Sequence, residues 1–155
     1  KLFADVHLSA KSREKFKFNP PVIEDPALSD FAPTAGFVAA FHALDRERIF
    51  VLSVDTPFVG EEVIQALIAA DAPHYDAVIS KTPSGTHPMV GIYHISLLSE
   101  LCRMLREGDH RLGKLLGSSQ THYVHFDNEE YFINLNHPHE YEAAHSRYND
   151  KNRPK

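Results

Sequence analysis

The chain has 155 residues, 43% apolar and 24% charged, the make-up of one folded domain rather than of a disordered segment. A formal charge of −5 argues against a general nucleic-acid binder, and no apolar run approaches the ~20 residues that span a bilayer. A single cysteine, Cys102, excludes an internal disulfide framework and suits a reducing, cytoplasmic compartment. The chain opens on Lys1-Leu2-Phe3, with neither Met nor a signal-peptide pattern.

Short apolar runs alternate with longer amphipathic stretches. Val6–Ala10 is β-capable, and Pro21–Glu24 is a second short strand stopped by Asp25-Pro26. Pro33 suits the first turn of a helix carrying Phe37, Val38, Phe41 and Leu44. Ile49–Val54 is apolar at nearly every position, which predicts a strand buried on both faces. Glu61-Glu62 opens a helix with Val63, Ile64, Leu67 and Ile68 on one side. Asp76–Ser80 and Met89–Tyr93 are the next strands, the latter interrupted by Gly91. Ile95, Leu98, Leu101, Cys102 and Leu105 form a helical stripe closed by Gly108, and Cys102 on that stripe reads as a packed thiol. A short helix holds Leu112, Leu115 and Leu116 and ends at Gly117. Tyr123–Phe126 is a sixth strand, and a last helix runs from Pro138 to about Arg147. There is no internal repeat or linker, so residues 1–148 read as one domain and residues 149–155 as a polar tail.

Strands alternating with helices predict an α/β fold, in which ligands bind outside the carboxyl ends of the strands. That rule selects Ser9 after the first strand, Asp25 after the second and Asp55 after the third. Asp55 is either a ligand for Mg²⁺, which pairs one or two carboxylates with substrate phosphates, or the cap of the turn or helix that follows at Thr56-Pro57. Asp25 either accepts hydrogen bonds from a base or ribose, or is a turn residue before Pro26. Ser9 and Lys11 either face a ligand or are solvated in a loop. Ala32-Pro33-Thr34-Ala35-Gly36 opens a helix with small residues, suited to phosphate approach or simply to helix–sheet packing. Arg111 is suited to phosphate or to a surface ion pair. Asn134 and Asn136 alternate on one side of an extended segment, where their amides can read a polar heterocycle or mark a turn before Pro138. Eleven histidines raise the question of zinc, but the pairs His122/His125 and His137/His139 lack Cys or HExxH context. No GxSxG, Walker A or GxGxxG motif is present.

Taken in order, Val22-Ile23-Glu24-Asp25, Ala32-Pro33-Thr34-Ala35-Gly36 and Val54-Asp55-Thr56-Pro57-Phe58 resemble the molybdenum cofactor guanylyltransferase (MobA) family. His87-Pro88 leading into Gly91-Ile92-Tyr93, Gly108-Asp109-His110-Arg111-Leu112 and Phe132-Ile133-Asn134-Leu135-Asn136-His137-Pro138 are similar to later segments of that family. The resemblance implies a Rossmann-like three-layer α/β/α fold with a mostly parallel sheet, of the nucleotide-diphospho-sugar-transferase type. It implies transfer of GMP from GTP to molybdopterin, giving molybdopterin guanine dinucleotide and pyrophosphate. By position, Asp55 would be the catalytic Mg²⁺ ligand, Ser9, Asp25 and Asp55 would bind nucleotide, and Gly36, Arg111, Asn134 and Asn136 would line the pterin side. Other molybdenum cofactor proteins and acceptor molybdoenzymes are the implied partners, with no nucleic acid or membrane.

Three positions depart from the family pattern: Ser9 stands where Asn is common, Ala32 where Gly is usual, and His137 in place of Thr. The family's opening strand and Gly-rich phosphate loop have no counterpart in these residues. The expectation is that this piece belongs to the molecule but lies outside them. The alternatives are a CTP-dependent sister enzyme and a non-catalytic module that binds nucleotide or pterin.

Overall fold

A computed structural model describes residues 2–25, 32–137, 139–142 and 144–145. Short strands β1 (Leu8–Ala10) and β2 (Val22–Glu24) pair in parallel, with a 3-10 turn at Arg13–Lys15 between them. Helix α1 (Pro33–Leu44) follows, with Pro33 in its first turn as predicted and Asp45 closing it in the left-handed conformation. The remaining strands are β3 (Arg48–Leu52), β4 (Ala77–Thr82), β5 (Gly85–His94) and β6 (Thr121–His125), and they form one sheet in the order β3-β5-β4-β6. Three of these four strands point the same way. β5 alone is reversed, antiparallel to both β3 and β4, because it folds back from β4 through a tight turn. Helices α2 (Glu61–Ala69), α3 (Leu98–Glu107) and α4 (Leu112–Gly117) complete the framework. Gly108 ends α3 at φ 66°, the left-handed cap that its place after the Leu stripe predicts.

Strand alternation sorts the core into two layers around the sheet. Ile49, Ala77, Ile79 and Tyr93 face one way and pack on Phe37 and Phe41 of α1, Leu101 and Met104 of α3, and the leucines of α4. Val78, Val90 and Ile92 face the other way and pack on Val59, on Val63 and Leu67 of α2, and on Phe132. The predicted α/β/α layering is therefore present. Among the described residues no helix is long and apolar enough to cross a membrane.

Two details of the strands differ from the sequence reading. Ser9 lies inside β1 rather than after it. β3 stops at Leu52 and is an edge strand, so the expectation of a strand buried on both faces to Val54 is corrected: Leu52 is 40% exposed and Val54 87%. The chain turns because the Ser53 carbonyl accepts from both the Thr56 N–H and the Thr56 hydroxyl, at 3.3 and 2.8 Å. The last helix includes residues 139–142 and 144–145, while Pro138, residues 146–147 and the polar tail lie outside the described residues.

β5 is also longer than predicted. The register jumps from Ile79 opposite Gly91 to Ser80 opposite His87, leaving Pro88, Met89 and Val90 as a bulge. Pro88 has no N–H to offer a ladder, so a bulge is where a strand tolerates it. The carbonyls freed there find other donors. The Ser80 hydroxyl donates to Val90 O at 3.0 Å, the Tyr93 hydroxyl to Pro88 O at 2.6 Å, and Ser53 N–H to Met89 O at 3.0 Å. Burial of Tyr93 pushes its phenol well above the usual range, so it stays a donor at any working pH.

At the opposite end of the sheet, Asp76 joins two corners. Its carboxylate accepts from the Ser96 hydroxyl at 2.6 Å and from Gln120 N–H at 2.9 Å. The Ser96 bond, then the Gln120 bond, holds this carboxyl below its ordinary value of 3.8. A depressed carboxyl stabilises the fold above its unfolded pKa, and that contribution disappears as pH falls through the lower folded value. Asp76→Asn is therefore expected to flatten the loss of stability below about pH 4. Urea midpoints measured between neutral pH and pH 3 check this, and unchanged curvature would remove Asp76 from that role.

Candidate functional site

The site end of the four-stranded sheet is where β3, β4 and β6 finish, together with the β4–β5 turn. Asp55 is carried there by the turn after β3. Its carboxylate accepts from the Ser53 hydroxyl two residues back. The alternative, a capping role on α2, is not what the structure contains: the cap position is Gly60, with no side-chain hydrogen bond to the helix start. Asp55 is instead half-buried, with its carboxylate oriented by a neighbouring hydroxyl and carrying no backbone N–H among the described residues.

Asn134 and Asn136 are brought to the same place. Leu135 N–H, between them, donates to the Asp55 carbonyl at 2.8 Å. The segment enters from a 3-10 turn, Glu129–Phe132, anchored at three points. Glu129 accepts Ser84 N–H at 2.8 Å, Tyr131 donates to Glu62 of α2 at 3.1 Å, and buried Phe132 stacks on His87 at 4.3 Å. Burial holds His87 below its ordinary value, which keeps this ring neutral on the phenyl face. Downstream, the Glu140 carboxylate accepts N–H from Asn136 at 2.7 Å and from His137 at 2.9 Å. These two bonds lower the Glu140 pKa. Both asparagine residues remain exposed.

A second group forms around the start of α1. A Cβ on Gly36 would lie 3.0 Å from the Ser9 hydroxyl, so β1 and the helix start meet at these two residues. Asp25 follows β2, with its N–H donated to Ala10 O at 3.1 Å and its side chain half-buried. The fully buried Thr34 hydroxyl lies 2.6 Å from His110 Nδ1, which ties the α1 start to the loop bearing Arg111. Arg111 itself is exposed and makes a two-pronged pair with Asp109 at 2.8 and 2.8 Å, and Lys114 shares that carboxylate at 3.0 Å. The Arg111 guanidinium, then the Lys114 ammonium, holds the Asp109 carboxyl well below the usual range. Of the two readings of Arg111, the ion pair is the one formed in this conformation. Among the described residues no hydrogen bond or ion pair joins Ser9, Asp25 or Arg111 to Asp55.

A divalent cation can be matched to this donor set. No group of three or more His, Cys, Asp or Glu that could hold a metal exists among the described residues, so a cation at Asp55 would take most of its ligands from elsewhere. A hard cation that takes its other oxygens from substrate phosphates and water fits one carboxylate.

Sequence reasoning missed Ser53, His110, His87 and Glu140. Glu140 had a readable signal, because a Glu three residues after the cap position, with Pro between, is a helix-start pattern. Ser53, two residues before Asp55, belongs to the local side-chain pairings that Ser and Asp favour. The His87–Phe132 and Thr34–His110 contacts are long-range and had no local signal.

Residues 1–124 match the model of the MobA-like NTP transferase domain. The molybdenum cofactor guanylyltransferase of Campylobacter jejuni subsp. doylei is 34% identical over 143 residues, 92% of this chain and 74% of that protein. The protein of the same name from Helicobacter pylori strain J99 is 33% identical over 144 residues, 93% of this chain and 67% of its own length. A crystal structure from Aquifex aeolicus VF5 is similar with a TM-score of 0.78 and 30% identity, over 87% of this chain and 72% of that one. The molybdopterin-guanine dinucleotide biosynthesis protein A of Archaeoglobus fulgidus shares the fold with a TM-score of 0.73 at 22% identity, over 93% of this chain and 78% of that one.

Proposed function

The chain belongs to the MobA-like NTP transferase family, and from that premise we propose that it transfers GMP from GTP to molybdopterin, releasing pyrophosphate. Its activity is that of a nucleotidyltransferase on a three-layer α/β/α fold of the nucleotide-diphospho-sugar-transferase type. The reading of the site is supported by one contact above all. The Leu135–Asp55 bond lays two exposed carboxamides beside the turn that carries the carboxylate.

In the reaction, an oxygen of molybdopterin's terminal phosphate forms a bond to the α-phosphorus of GTP, and the bond to the pyrophosphate oxygen breaks. Positioning and charge stabilisation carry most of such a transfer. Asp55 would hold Mg²⁺, which when bound neutralises charge on the phosphate oxygens. Ser53 keeps the Asp55 carboxylate oriented. Asp25 and Ser9 hold the nucleotide, with Gly36 keeping the space beside Ser9 open. Asn134 and Asn136 orient the pterin, whose ring edge alternates donors and acceptors as carboxamides do. Arg111 reaches the pterin side only by sharing or leaving Asp109. On this reading the protein works in the cytoplasm, alongside other molybdenum cofactor proteins and the acceptor molybdoenzymes.

The test is to supply the protein with GTP, Mg²⁺ and molybdopterin and to follow pyrophosphate and the dinucleotide product. Product with GTP, and far less with CTP, is the expected result. Preference for CTP would reassign the nucleotide, and tight ligand binding without pyrophosphate release would make the protein a binding module.

A further inference from the structure

The Asn134–Asn136 arm belongs to no helix or strand, so no ladder of hydrogen bonds fixes it. Its upstream end is set by buried Phe132 and its middle by the Leu135 N–H on the Asp55 carbonyl. Its downstream end is set by one side chain. Both N–H groups that follow Leu135 go to the same carboxylate oxygen of Glu140. Three successive backbone donors are thus satisfied by the Asp55 carbonyl and the Glu140 carboxylate, and the two asparagine residues are left exposed. Hydrogen bonds to an ionised carboxylate are stronger than neutral ones. Glu140 also sits in the helical stretch that includes residues 139–142, so the arm is tied to a regular element.

We infer that Glu140 is a positioning residue for the acceptor substrate: by gathering the N–H groups of Asn136 and His137 it fixes the two carboxamides beside the Asp55 turn. The substrate in this statement rests on the guanylyltransferase reading, whereas the clamp rests on the geometry alone. Glu140 touches neither reacting atom, so its loss acts on the binding of the pterin and leaves the nucleotide and the chemical step in place.

The test compares Glu140→Ala and Glu140→Gln in the intact protein. Glu140→Ala is expected to raise the KM for molybdopterin by about tenfold, the scale of one or two lost hydrogen bonds, with the KM for GTP and kcat within about twofold. Glu140→Gln keeps an acceptor of the same shape and is expected to restore the KM to within about threefold of wild type. Amide exchange at Asn136 and His137 should quicken in Glu140→Ala, a readout that needs no activity. Quickened exchange with unchanged molybdopterin KM would overturn the positioning role, as would equal losses in both KM values and kcat. If the wild-type protein transfers no GMP, the functional reading has failed. Direct molybdopterin binding by wild type and Glu140→Ala then still decides the clamp. Should Glu140→Ala fail to fold, wild-type KM values in Glu140→Gln with slow exchange support the inference, and a tenfold rise despite slow exchange overturns it.

Discussion

Replacing Asp55 with asparagine is expected to lower kcat for GMP transfer by about 100- to 1,000-fold while leaving the protein folded. The size of the effect follows from what the substitution removes. Asn keeps the shape and can still accept the Ser53 hydroxyl, so the turn from Ser53 to Thr56 retains its hydrogen bonds. What is lost is the negative charge that the turn after β3 offers to a cation. On the role proposed for Asp55, a neutral carboxamide would hold Mg²⁺ poorly and leave the phosphate charge that develops during transfer less well balanced. Pyrophosphate release under saturating GTP and molybdopterin gives kcat, and circular dichroism with thermal unfolding gives the fold. The Mg²⁺ concentration for half-maximal rate should rise as well. Turnover within threefold of wild type would remove Asp55 from the metal site.

The largest effect on stability is expected at Gly91. A Cβ there would lie 2.5 Å from the Val78 carbonyl oxygen, 2.7 Å from Ile79 Cδ1 and 3.2 Å from Ile79 Cα. The first contact is with backbone, in a strand paired on both sides, so the neighbour has nowhere to go. Gly91 is also the residue at which the β5 bulge rejoins the ladder. Gly91→Ala should cost about 3 kcal/mol, as overpacking a buried site does. That corresponds to a fall in Tm of about 10 °C for a domain of this size. Urea unfolding should show a lower midpoint at unchanged slope. Gly113→Ala is the control. Gly113 is exposed in α4, nothing lies within 4 Å of its added Cβ, and alanine there favours the helix. Equal stability of the two variants would mean that the sheet yields at Gly91.

Most of the framework could be read from the residues, because it rests on periodicity. The stripe of α1, Val63 and Leu67 of α2, Leu98 and Leu101 of α3 and the two-sided apolar run of β4 face where their spacing puts them, whereas Ile68 and Ile95 are exposed and Met104, rather than Cys102 or Leu105, joins the core from α3. The α/β alternation follows from them, and the three-layer form is what the resemblance to the MobA family implies. β5 was legible only in part. Pro88 and Gly91 read as interruptions of a strand, and only the partners of the bulge, Ser80 and Tyr93, reveal that the strand continues past them. The end of β3 was misread for a related reason: Val54 continues the apolar run, but Thr56 has already claimed the Ser53 carbonyl and turned the chain. For the site, residue types and order singled out Asp55, Asn134 and Asn136. Their meeting depends on a backbone bond from Leu135, and a backbone bond leaves no mark on the sequence.

The reversed strand also bears on the order in which the sheet assembles. β4 and β5 are joined through only Pro83 and Ser84, so pairing them closes a very short loop. Pairing β3 with β5 must close around α2, and pairing β6 with β4 must close around α3 and α4. The entropy of closure rises with each of these longer spans. The hairpin is therefore the cheapest pairing in the sheet, and it sits at the centre, with both of its outer edges open to the later strands. Closure entropy thus favours assembly outward from β4 and β5, with the turn of Asp55 placed when β3 docks.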